Sequence, residues 1–364
     1  MNLGFPLYIY YLGLFVLILI LSKFIFSRYI RFARNFNLTN TPNQRSVHIG
    51  KVFTGGGIVI ATVLLVAVVV LDSLYFVEFT QISPLIGTSI LIAAVGFYDD
   101  FNEINAFQKY IILTFLVLIT VYSSFLTEDF EGIITNLHGF LGFYEIGFIP
   151  GFLFSTFVYL SIMNSINLMD GIDGYLAIFS IFFFISFLFN NSINGFYTLN
   201  TMSIVFIASF IIYLKFNFSK QKKLFTGDAG SLFIGFWIAY FLITYITTSS
   251  SSDLATVFSI KLENFPVLAI SMINIPVLDT LRVMFVRVLN KKSPFSADRN
   301  HLHHIILDCG ISHLNAGLLL SFLNWFNCII IFLLEQRFDS KVLTIIYILL
   351  SLFWFGFFEY LKRR

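Results

Sequence analysis

Apolar runs about as long as a bilayer is thick recur down almost the whole chain, and this limits what it can fold into more than any other feature. They lie at roughly 6–22, 54–71, 84–98, 107–126, 146–166, 174–189, 195–214, 229–248, 264–281, 314–334 and 341–358. A helix needs about 20 apolar residues to cross ~30 Å of hydrocarbon. Within hydrocarbon every backbone polar group must be satisfied inside the segment, so runs of this length are helices or do not span at all. Mean hydropathy is +0.87 and only 12% of residues are charged, against about 25% in soluble domains. The expected fold is therefore an all-α polytopic membrane bundle of eleven helices, and a soluble globule is excluded. One transmembrane domain should occupy 1–364.

Charge gives the expected orientation. Four basic residues, Lys23, Arg28, Arg31 and Arg34, follow the first run and none precedes it, so this run reads as a retained anchor with its N-terminus outside. If spans alternate from there, 19 of the 22 Lys and Arg fall on one side, and only Lys261, Arg337 and Lys341 on the other. The positive-inside rule makes the first side cytoplasmic and puts the C-terminus there too. A formal net charge of +2 leaves no surplus for nucleic acid. Cys309 and Cys328 cannot form a disulfide framework. The 48 Phe residues are read as lipid-facing and helix-packing groups.

Polar chemistry gathers at span ends on the cytoplasmic side. Asp99 and Asp100 close the third run in Gly96-Phe-Tyr-Asp99-Asp100. The fifth ends in Asn164-Ser-Ile-Asn167-Leu-Met-Asp170-Gly-Ile-Asp173-Gly, the eighth begins with Phe225-Thr-Gly-Asp228-Ala-Gly-Ser231, and the loop after the ninth contains Ser293-Pro-Phe-Ser-Ala-Asp298-Arg299-Asn-His301-Leu-His303-His304. Ionisable groups at membrane depth are costly, and four such clusters on one face point to a site. Plainer readings stand beside each cluster: solvated helix ends, a helix-ending turn, an N-cap and a solvated loop.

Adjacent carboxylates at 99 and 100 repel, raising one pKa unless a cation or donor intervenes. Asn164, Asn167, Asp170 and Asp173 form an i, i+3 series beside flexible glycines, oxygen chemistry suited to Mg²⁺ or Mn²⁺ with phosphate. Gly227 and Gly230 beside Asp228 would let an anion approach a helix N-terminus. His-x-His-His spacing with Cys309 matches no usual zinc pattern. A basic, histidine-bearing loop with Lys291, Lys292 and Arg299 suits a pyrophosphate. Neither a P-loop nor a Ser-His-Asp constellation is legible. The inventory fits phosphoryl transfer, which relies on positioning and charge stabilisation, and a lipid-borne acceptor would explain its place at the bilayer surface.

These motifs, with Pro42-Asn-Gln-Arg45-Ser-Val-His48 and Gly55-Gly-Gly57 ahead of them, resemble the polyprenyl-phosphate N-acetylhexosamine-1-phosphate transferases. Within that family they resemble the undecaprenyl-phosphate N-acetylglucosamine-1-phosphate branch. The ordered set spans 42–304, and two C-terminal helices follow at 314–364. The resemblance implies transfer of a sugar-1-phosphate from a UDP-N-acetylhexosamine to undecaprenyl phosphate, with release of UMP and with Mg²⁺ or Mn²⁺ bound. It implies metal positions at Asn167 and Asp228. Asp99 and Asp100 would stand at the acceptor phosphate, Asp170 in the same polar pocket and Asp173 near the uridine. His301, His303 and His304 would stand at the donor phosphates. Asn164, Arg299, His48 and Lys51 are further substrate contacts. The implied location is a bacterial cytoplasmic membrane, with a homodimer left open.

Thr226 and Tyr98 depart from the family pattern at non-ligand positions. The rival within the class is the phospho-N-acetylmuramoyl-pentapeptide transferase, whose unbroken triple His is not found here. A cation-coupled transporter would carry its acids nearer mid-bilayer and would often show an inverted repeat, which is not visible.

Overall fold

The computed structural model describes residues 7–40, 52–73, 79–126, 132–191, 197–247, 261–294 and 300–363. Its helices are α1 (Leu7–Asn35), α2 (Gly56–Ser73), α3 (Phe79–Asp99), α4 (Ala106–Leu126), α5 (Phe148–Met169), α6 (Tyr175–Asn191), α7 (Tyr197–Asn217), α8 (Gly227–Thr247), α9 (Phe265–Ser271), α10 (Asn274–Leu289), α11 (Leu302–Asp308), α12 (His313–Leu334) and α13 (Ser340–Lys362). Among the described residues nine helices are long and apolar enough to cross a membrane. A tenth span results if α9 and α10, bent by 68° at their junction, count as one, and α6 has a shorter apolar stretch, Tyr175–Leu188. The chain is thus a polytopic helical membrane protein. Each of the eleven apolar runs has a helical counterpart, although α6 and the broken pair differ from the plain spans expected of them.

The chain forms two compact units, each discontinuous in sequence. One comprises residues 1–123 and 180–234, the other 124–179 and 235–364. In the first, α1 packs along α7 and α2, and α2 along α3 and α7. Polar pairs join α1 to α7: Tyr10 meets Thr201, and Ser22 meets Ser209, each at 3.4 Å. Small and hydroxyl side chains suit such interfaces, because lipid offers no hydrophobic drive between helices.

Two short strands, β1 (Thr39–Asn40) and β2 (Val52–Phe53), pair antiparallel. Phe53 also bridges Leu224 in parallel. Phe53 N donates to Lys223 O at 3.0 Å, Phe225 N to Phe53 O at 2.8 Å, and Gly56 N to Phe225 O at 2.7 Å. The run leading into α8 is thereby pinned to the run leading into α2. Asn217 and the Tyr213 hydroxyl secure its other side: Asn217 Nδ2 donates to Leu224 O, and Thr226 N donates to Tyr213.

In the second unit α5 packs on α10, and α10 on α12 and α13. The break between α9 and α10 needs internal partners, since a helix interrupted in hydrocarbon frees backbone groups. Asn324 on α12 supplies them. Its Oδ1 accepts from Ile275 N at 3.0 Å, and its Nδ2 donates to Met272 O at 2.6 Å. A hairpin of β3 (Asn136–Phe140) and β4 (Phe143–Glu145) lies before α5 and reaches the start of α13, where Leu141 N donates to Ser340 Oγ. Apolar stripes such as Ile345, Ile348, Leu349, Leu352 and Phe353 on α13 are exposed, as lipid-facing surfaces should be.

Candidate active site

In the first unit α3 ends in Asp99 and Asp100 where α8 begins, and glycines allow the approach. A Cβ on Gly96 would lie 2.6 Å from the carbonyl carbon of Asp228, and one on Gly57 would overlap the backbone of Gly230. Asp100 turns its carboxylate onto the α8 N-terminus: its Oδ1 accepts from Asp228 N at 2.8 Å, and the backbone of Ala229 bonds it too. The anion expected at this helix end is therefore a protein side chain. A Cβ at Gly227, whose φ is +67°, would strike that carboxylate, so the two glycines serve packing here instead of ligand approach. This corrects the expectation from the motif.

Burial pushes the Asp100 carboxyl up to about 7, and the Asp228 carboxylate adds to the rise, while the two helix-end N–H groups and Lys109 oppose it. Its Oδ2 is buried without a hydrogen bond. The like charge that raises Asp100 belongs to Asp228, a residue far off in sequence, and not to the adjacent Asp99 anticipated from the motif.

Lys109, one turn into α4, went unnoticed in the sequence. Its Nζ lies 2.7 Å from Asp99 Oδ2 and also pairs with Asp228 Oδ2. Asp99 Oδ1 meanwhile accepts from Ile104 N at 2.6 Å. A lone lysine entering an apolar run offered no motif; the only available signal was that it was the sole cation between residues 52 and 214. The ammonium lies between two carboxylates, the place where a cation offsets their repulsion.

In the second unit the i, i+3 series holds only in part. Asn164 and Asn167 lie on α5, Asn164 exposed and Asn167 half-buried. The helix stops at Met169, so Asp170 caps it with φ −77° and ψ 46°, and Asp173 sits in the following turn. Asp173 N lies 3.3 Å from His313 Nδ1, and its carboxylate 3.6 Å from the same ring. The histidine motif joins this turn directly. A Cβ at Gly171 would collide with the His303 ring, and the His303 and His304 rings are 4.1 Å apart. His301 and His303 are both buried. Asp279 and Arg282, buried on α10, contact the motif and were likewise missed, since Asp279 lies inside an apolar run and Arg282 just past its end, neither within a motif.

The structure thus assembles Asp99, Asp100 and Asp228 in one unit, and Asn167, Asp170, Asp173, His301, His303 and His304 in the other. Asn167 and Asp228, the two implied metal positions, belong to different units. His48, Lys51 and Arg299 lie outside the described residues. Among the described residues no three His, Cys, Asp or Glu side chains are grouped as a ready-made metal site. The donor chemistry still suits a hard cation, because Asp228 and Asp100 offer carboxylate oxygens and Asp100 Oδ2 is buried and unbonded.

The site so described is a set of acid and histidine clusters at the helix ends of a polytopic membrane fold. Residues 82–246 match the model of glycosyl transferase family 4. The chain is 29% identical over 320 residues to the probable undecaprenyl-phosphate N-acetylglucosaminyl 1-phosphate transferase of Bacillus subtilis, covering 88% of this chain and 84% of that protein. It is 26% identical over 316 residues to the undecaprenyl-phosphate alpha-N-acetylglucosaminyl 1-phosphate transferase of Escherichia coli K12, covering 83% and 79%. The resemblance drawn from the motifs is borne out by these matches.

Proposed function

We propose that the protein transfers N-acetylhexosamine-1-phosphate, with N-acetylglucosamine as the favoured sugar, from a UDP-sugar to undecaprenyl phosphate. UMP leaves, and the product would start a lipid-linked envelope polysaccharide. The reaction is assigned to the cytoplasmic face of a bacterial cytoplasmic membrane. The observation that carries this reading is the pairing of Asp99 and Asp228 with Lys109, beside Asp100 on the N-terminus of α8, a charge-compensated carboxylate cluster of the kind phosphoryl transfer needs.

An acceptor phosphate oxygen would attack the β-phosphorus of the donor while the bond from that phosphorus to the UMP oxygen breaks. Asp100, with its carboxyl raised to about 7, can take a proton from the acceptor phosphate near neutral pH, which a carboxyl at its ordinary value would do poorly. Lys109 holds Asp99 and Asp228 in register. His303 sits against the Asp170–Asp173 turn at Gly171, with the His301 and His304 rings beside it, and there the three would bind the donor diphosphate and uridine. Mg²⁺ or Mn²⁺ would be held at Asp228 in the first unit, and Asn167, the other position the resemblance implies, would contribute from the second. Bound there, it would neutralise charge on the transferring phosphoryl group.

The test is an assay of purified protein in lipid with radiolabelled UDP-N-acetylglucosamine and undecaprenyl phosphate. Labelled lipid should form, and chelator should abolish it. Preferential use of UDP-N-acetylmuramoyl-pentapeptide in competition would replace this reading with the peptidoglycan one.

A further inference from the structure

The histidine motif is held from behind by α10. Asp279 and Arg282 lie one turn apart on that helix, with side chains fully buried. Asp279 Oδ2 stands 2.8 Å from His301 Nδ1, while Oδ1 accepts from Leu302 N at 3.1 Å and from Arg282 Nη2 at 2.8 Å. Arg282 in turn donates to Asn300 O and, through Nη1, to Glu359 Oε1 on α13 at 2.5 Å. Residues 300, 301 and 302 are thus gripped in succession by one carboxylate and one guanidinium. A buried carboxylate is costly unless paired and fully hydrogen-bonded. Asp279 meets both conditions.

We propose that Asp279 is the positioning residue of the histidine motif. It fixes His301 with the proton on Nδ1, so that Nε2 is the ring nitrogen offered to the donor phosphates. An ionised carboxylate only accepts, so the facing ring nitrogen must carry the hydrogen. The partner of one ring nitrogen in this way sets the role of the other. Arg282 orients the carboxylate and ties it to Asn300 and Glu359, a task for a planar fork that a lysine cannot copy. The role of Nε2 rests on the function proposed above, whereas the tautomer rests on the geometry alone.

Replacing Asp279 by Asn should reverse the tautomer. Two donors, Leu302 N and Arg282 Nη2, fix the amide oxygen at the Oδ1 position. The amide NH₂ then faces His301, whose Nδ1 becomes an acceptor and whose proton moves to Nε2.

The experiment uses the full chain in lipid nanodiscs with ¹⁵N-labelled histidine, and His301→Gln assigns the resonance. In wild type the neutral His301 ring should show protonated Nδ1 and bare Nε2, and in Asp279→Asn the reverse. In the radiolabel assay Asp279→Asn should raise KM for the UDP-sugar and lower kcat/KM about 10- to 100-fold, with KM for polyprenyl phosphate unchanged. A purely structural role would reduce the active fraction and leave both KM values alone. A wild-type His301 ring protonated on Nε2 overturns the proposal without any variant at 279, as does an unchanged tautomer in Asp279→Asn. If the tautomer switches but His301→Gln leaves the donor KM untouched, the positioning role stands and the assignment of the histidine to the donor fails.

Discussion

Lys109 shows how much of this chemistry depends on a single counter-charge. Two carboxylates, Asp99 and Asp228, share its ammonium, with side-chain exposures of 14% and 34%. Breaking a largely buried pair by removing one partner costs about 3–5 kcal/mol, less here because Asp228 is partly wet. Lys109→Met should therefore lower the melting temperature in chelator, and Mg²⁺ should restore more stability to this variant than to wild type, because the cation would replace the lost ammonium. Equal Mg²⁺ shifts in a thermal scan of the two proteins would count against a cation at these carboxylates. Asp228→Ala should lose about 100-fold or more in turnover while still inserting, as removal of one charge-stabilising group does elsewhere. Near-normal product formation by that variant would remove Asp228 from the site. The adjacent acids, the Gly-Asp pair and the histidines were legible as residues, because each stands out in an apolar chain. Lys109, Asp279 and Arg282 were not, because what distinguishes them is their partners at distances of 119, 22 and 77 residues.

Between elements, the informative features are the devices that let helices break or approach. Asn324 satisfies both ends of the α9–α10 break. Asn324→Ala leaves a buried N–H and a buried C=O unpaired, at about 1–3 kcal/mol each, and should lower the melting temperature with the fold otherwise retained. A melting temperature equal to wild type would mean that the break is stabilised by other means. Gly96→Ala should cost about 1–3 kcal/mol by overpacking α3 against the start of α8. At the end of α12, burial raises the Glu335 carboxyl above its ordinary value. The folded protein then holds that proton more tightly than the unfolded chain. This contribution is fully present below the ordinary carboxylate pKa and is lost as pH climbs through the raised one. Melting curves should accordingly fall across the mildly acidic range above about pH 4.5, and Glu335→Gln should flatten that decline. An identical pH slope in the two proteins would argue against it.

For the whole molecule, the expected arrangement puts the N-terminus outside and the C-terminus in the cytoplasm. Reporter fusions after residues 105, 220 and 295 should all report the cytoplasmic side, and any split among them would undo the assignment of one reactive face. The sequence by itself determined the class of fold, since hydrocarbon forces each apolar run into a helix whatever its neighbours, and it singled out candidate acids and histidines, since few ionisable groups survive in such a chain. It also carried the transferase resemblance, through motifs whose order alone is specific. Tertiary structure alone decided the rest: that the α8 N-terminus is filled by Asp100, that the ninth run is bent by 68° around Asn324, and that Lys109 and Asp279 belong with the motifs. Each of these depends on contacts between residues far apart in the chain, and periodicity and composition describe only near neighbours.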